Sequence, residues 1–179
     1  MGDTPLALRE LAIQAGMLDK HREAIELWRR FLKQEKNNAE AWLNLGSALF
    51  AVGRTKEALA AAEQACRLQP LMKEPYFNRS LYELHLGYPA APAADRLKKL
   101  LAQVPEYQAA RVLHAAAICL RDGVNLGKKA FTDLYDDNLT PEVIAIAGRE
   151  LAATLKNNHR AQAAKKIKKA TSMGPDSSD

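Results

Sequence analysis

No run of apolar residues in this chain approaches the roughly 18 that a membrane-spanning helix needs. The opening stretch, MGDTPLALRELAIQAGMLDK, lacks the basic start and apolar block of a secretory leader, and Leu6 stands where a myristoylation motif needs Ser or Thr. Cysteine is scarce. Cys66 and Cys119 lie far apart, with no Cys or His at ligand spacing around either, which leaves neither a zinc site nor a disulfide framework. Both are expected to be small buried hydrophobes in a reducing, cytoplasmic setting. The phosphate loop, GxGxxG, HExxH and GxSxG are all missing. His21, His85, His114 and His159 are scattered, with no carboxylate or thiol at a motif spacing, and His114 falls among core positions. Asp133, Asp136 and Asp137 gather in TDLYDDNLT, but without the glycine and terminal Glu of a calcium loop they read as a solvated helix end. No metal, no cofactor and no catalysis are expected.

What the chain does have is alanine and charge. Apolar residues make up 47% of its 179 residues and charged ones 26%, while aromatics reach only 6%. Ala-rich sequence with few β-branched runs favours close-packed helices. The net charge is +5, and its excess is local. Residues 1–150 are close to neutral, with 20 basic and 19 acidic side chains, whereas residues 151–175 carry Lys156, Arg160, Lys165, Lys166, Lys168 and Lys169 and no acid. In that segment Ala161, Ala164, Ile167 and Ala170 form a narrow apolar stripe with lysines around it. A capping helix with a solvated outer face accounts for this pattern. A nucleic-acid or membrane surface is disfavoured, because no aromatic residues are present for stacking and no bulky apolar ones for insertion.

A period of thirty-four residues runs along the chain. Window 39–72 places Trp42, Leu45, Gly46, Leu49, Ala58, Ala62, Ala65 and Pro70 in order. Window 5–38 places Leu8, Leu11, Ala12, Ala24, Trp28 and Phe31 at matching points, with Asn37-Asn38 as its turn. Window 73–107 has Tyr76, Ser80, Ala93, Leu97, Leu100 and Pro105, with one extra residue in its GYPAAPAAD turn. Gly46 and Ala58 are small enough for two antiparallel helices to approach closely. Gly53 and Gly87 are placed to end the first helix of a pair, and Pro70 to close the second. Beyond Pro105 the signal weakens: QAARVLHAAAICLR (residues 108–121) reads as a buried helix, and GKKAFTDLY echoes TKEALAAAE, with Ala130 in the role of Ala58. Residues 142–155 and 160–171 read as a last pair, capped by Thr140, and 173–179 as a disordered tail.

The pattern W-x2-L-G, central Ala and closing Pro resembles the tetratricopeptide repeat (TPR). That resemblance implies an all-α fold, a right-handed superhelix (α-solenoid) of about five helix pairs over residues 1–172, with repeats at 5–38, 39–72, 73–107, 108–141 and 142–172, the last two degenerate. It also implies a concave face lined by the first helix of each pair. The sixth residue of a window lies on that face in the family, and here Asn44 and Asn78 hold it in two successive windows, with Glu10, Leu113 and Ala147 in the others. Around them fall Leu43, Phe50, Phe77, Leu81, Val112 and Leu113, with Arg9 and Ile13 toward the N-terminus. An amide donates and accepts at once, so two in register could hold a peptide backbone, as asparagines do in the TPR arm of the protein O-GlcNAc transferases. The same face could instead be solvated, packed on itself or plugged by a C-terminal helix.

A two-carboxylate clamp of the chaperone-binding kind is excluded: Arg9 and Ile13 replace its Lys and Asn, and Glu74 and Asn78 replace its Lys and Arg, with only Asn44 in place. The resemblance thus implies a non-catalytic scaffold or adaptor that takes a peptide or helix of a partner protein in its groove. A secretion-chaperone-like binder of apolar segments and the recruiting arm of a larger transferase remain open, as does self-association.

Overall fold

The computed structural model describes residues 4–134 and 161–171. The expected helix over 142–155 and the tail over 173–179 lie outside them, as do Thr140 and Asp136. Nine helices and no strand occur among the described residues: α1 (Pro5–Met17), α2 (His21–Gln34), α3 (Ala39–Ala51), α4 (Thr55–Leu68), α5 (Glu74–Leu86), α6 (Ala90–Gln103), α7 (Gln108–Asp122), α8 (Val124–Thr132) and α9 (Ala161–Thr171). The chain divides into two compact units, Met1–Tyr82 and Glu83–Asp179, with the division inside α5.

The thirty-four-residue period is written in the backbone. Asp19, Gly53 and Gly87, each thirty-four apart, all take positive φ (55°, 78° and 89°) just after the first helix of a pair. One residue further on, the N–H groups of Lys20, Arg54 and Tyr88 donate to the carbonyls of Ala15, Leu49 and Glu83, each at 2.9 Å. This is the bond that closes a helix through a left-handed residue and satisfies an orphan carbonyl. Glycine takes that conformation freely, and Asp is among the few other residues that tolerate it. The starts are built from local side chains. Thr4 Oγ1 accepts from Ala7 N at 3.3 Å with Pro5 in the first turn, and Asn38 Oδ1 accepts from Ala41 N at 2.8 Å, so Asn38 caps α3 as well as turning the chain.

In the first unit, α2 lays Ala24, Ile25, Leu27, Trp28, Phe31 and Leu32 against its neighbours, with Trp28 and Phe31 edge to face at 5.8 Å. α3 and α4 approach as the small residues dictate: a Cβ on Gly46 would stand 3.3 Å from the Ala58 carbonyl oxygen. Cys66 is buried here and Cys119 in the second unit, and neither is in a disulfide.

The second unit departs from the period. α7 runs straight to Asp122, and Gly123 alone, at φ 100°, separates it from α8. The tight approach there falls on Gly127, where a Cβ would meet Cys119 Cβ at 2.4 Å. Ala130, expected in that role, is only part-buried, and Phe131 takes the core place. α9 packs on α7 and α8: Ala164, Ile167 and Ala170 close over Val112, Ala116, Cys119 and Phe131, while Lys165, Lys166, Lys168 and Lys169 face outward. Burial pushes the Cys119 thiol up, with Lys166 pulling it back in part.

Two histidines make this unit acid-sensitive. Burial lowers the pKa of His85, and burial followed by the charges of Arg121 and Lys98 lowers that of His114. A folded-state pKa below the ordinary 6.5 means the unfolded chain binds the proton first. Stability is therefore full above about pH 6.5 and is lost as pH falls below it toward the folded values. Calorimetry from about pH 7 to about pH 5 is expected to show Tm falling, and His114→Gln to flatten that slope. An unchanged slope in the variant would remove His114 as a source.

Candidate functional site

Helical spacing sorts α3 into two opposite faces. Trp42, Leu45 and Leu49 share one, and Asn44 and Ser47, flanked by Leu43 and Phe50, share the other. The second face meets α1 and α5 through polar links of identical sequence separation, thirty-one residues. Arg9 Nη2 donates to Glu40 Oε1 at 3.2 Å, and Asn78 Nδ2 donates to Ser47 Oγ at 3.4 Å. In a thirty-four-residue repeat, that separation ties each inner helix to the next one turn back toward its start.

Ser47 is the centre of this arrangement. Its hydroxyl donates to the Leu43 carbonyl at 3.2 Å, accepts from Asn78, and bonds to the phenol of Tyr82. Tyr82 is 1% exposed and stacks on Phe50 at 4.7 Å. Burial pushes its pKa up to about 12 against the opposing pull of Ser47, so the phenol stays neutral across the physiological range.

Eight of the expected site residues, Arg9, Ile13, Leu43, Asn44, Phe50, Phe77, Asn78 and Leu81, lie in the first unit and are part-buried, as a lining surface would be. The Asn44 amide has no hydrogen-bond partner among the described residues and is not sealed from solvent. Asn78 spends a donor on Ser47, which leaves its carbonyl oxygen to accept from a ligand. Arg9 is paired with Glu40. Val112 and Leu113 lie in the second unit and are 8% and 4% exposed. Val112 is taken up by the packing of α9 and α8 onto α7. Ser47 and Glu40 carry this face too, and sequence reasoning passed over both; the signal was their thirty-one-residue offset from Asn78 and Arg9.

Among the described residues no group of three or more His, Cys, Asp or Glu could hold a metal ion, and no helix is long and apolar enough to cross a membrane.

The tetratricopeptide repeat family profile matches residues 9–73. No curated protein matches it in sequence. Its fold is that of several solved helical-repeat proteins. MamA from Desulfovibrio magneticus RS-1 superposes with a TM-score of 0.69 at 20% identity, over 96% of each chain. YrrB, described as a TPR protein with an unusual peptide-binding site, gives 0.64 at 15% identity, over 98% of this chain and 89% of its own. TTC0263, a thermophilic TPR protein of Thermus thermophilus, gives 0.62 at 19% identity, over 97% and 93%. The all-α helical-repeat fold implied by the resemblance is thus the one observed.

Proposed function

We propose that the chain is a non-catalytic adaptor whose first unit binds an extended peptide of a partner protein along α1, α3 and α5. The observation that carries this reading is the open amide of Asn44, set beside half-buried Leu43 and Phe50 and one turn from the Ser47–Asn78 link. Such an amide can donate to and accept from a peptide backbone. Leu43, Phe77 and Leu81 would take the ligand's apolar side chains. Because Glu40 offsets Arg9, the ligand needs no acidic residue at that end.

The test is selection of peptides from a displayed library on the folded chain, followed by titration of the winners. Asn44→Ala is expected to weaken binding by about 1 kcal/mol, the worth of one ordinary hydrogen bond. Phe77→Ala is expected to cost about 2 kcal/mol, since aromatic anchors dominate such interfaces. Helicity should be unchanged in both. Full affinity in both variants would remove this face as the site.

A further inference from the structure

The opposite face of α3 carries a second recess. Between α2 and α4 a cleft of about 700 Å3 opens over Trp42, Leu45 and Leu49 of α3, with Leu32 and Ala60 on its walls. Trp42 is held at its mouth by donating Nε1–H to the Lys36 carbonyl at 2.8 Å. The floor is wholly apolar and the rim is charged, with one sign in excess. At one end Arg29 bonds to Glu57 at 3.0 Å, and Arg54 and Glu26 complete a balanced set of two cations and two anions. Lys33 and Arg67, also on the rim, have no acidic partner among the described residues. The Arg67 guanidinium does not swing free: two of its nitrogens are held by Gln64 Oε1, at 3.1 and 2.6 Å, a neutral acceptor that fixes the fork without discharging it.

We propose that this cleft is a second docking site, for an acidic protein segment that places an apolar side chain over Trp42 and sets carboxylates against Lys33 and Arg67. An apolar floor supplies affinity without direction, and two unneutralised cations, Arg67 held in place by Gln64, supply the choice of partner. The site is distinct from the peptide face proposed above, since Trp42, Leu45 and Leu49 point away from Asn44 and Ser47 around the same helix. One adaptor could then hold two segments at once.

The test uses the full chain and a displayed peptide library with Leu, Phe or Trp at the centre and flanks drawn from Asp, Glu, Lys and Gln. Peptides with acidic flanks are expected to be enriched, and their affinity to fall with added salt. The charge reversals Lys33→Glu and Arg67→Glu together, and separately Ala60→Trp, which fills the cleft from an exposed position, should each weaken an enriched acidic peptide about tenfold or more. Asn44→Ala and Phe77→Ala should leave that peptide's affinity unchanged. The proposal is overturned if no acidic peptide is enriched, or if the enriched ones ignore both cleft variants. Sensitivity to Asn44→Ala instead would assign the acidic peptides to the other face. Loss of the Asn44-dependent peptides alone would defeat the adaptor reading above and leave the cleft standing.

Discussion

Arg96→Met is expected to destabilise the chain by about 3 kcal/mol, the cost of breaking a buried ion pair from one side. Arg96 Nη1 and Nη2 donate to the two oxygens of Glu83 at 2.8 and 3.2 Å, a forked pair whose side chains are only 17% and 9% exposed. A surface pair of the same geometry would contribute well under half as much, because water would take over either partner. For a chain of this size the loss corresponds to a fall in Tm of about 10 °C by calorimetry. The double variant Glu83→Leu with Arg96→Met should recover most of it, since two well-packed apolar groups need no counter-charge. A double variant as unstable as the single one would mean that the pair acts through geometry rather than charge.

Gly127→Ala is the second large effect. In an ordinary helix interior this change gains about 1 kcal/mol from backbone entropy alone. At Gly127 the new methyl would stand 2.4 Å from Cys119 Cβ and 2.8 Å from its Cα, so α7 and α8 must separate. The net outcome is expected to be a loss of about 2 kcal/mol, typical of overpacking against backbone. Cys119→Ala should not rescue it, because losing the sulfur, itself 2.8 Å away, leaves the clashes with Cβ and Cα in place. Gly46→Ala is the internal comparison: its nearest neighbour is the Ala58 carbonyl at 3.3 Å, which a small shift relieves, so its cost is smaller. Equal losses at both glycines in chemical denaturation would contradict the close approach at α8.

The sequence made the first three helix pairs readable because their rules are local and recur. Gly53 and Gly87 recur at the step that ends a helix, and Gly46 faces Ala58 because both are small. The fourth pair was harder to read for a physical reason. Shortening the α7–α8 turn to Gly123 slides α8 along α7, which moves the close approach from Ala130 to Gly127. Val112 and Leu113 look like groove residues in one dimension, and Val112 is buried by α9, which arrives from about fifty residues further on. Arg9 looked like a free cation because its partner, Glu40, belongs to another repeat. The cleft over Trp42 was illegible for the same reason. Its walls come from two helices that only the stacking brings side by side, and periodicity marks Trp42 simply as filler between helices.

The two tryptophans divide the molecule optically. Trp28 is 3% exposed inside α2, edge to face with Phe31, whereas Trp42 sits part-exposed at the mouth of the α2–α4 cleft with its indole N–H fixed to a backbone carbonyl. An aqueous quencher reaches the second and not the first. The unlabelled chain therefore carries its own dye at the cleft and its own reference in the core, so occupancy of that recess can be read as light without altering a residue.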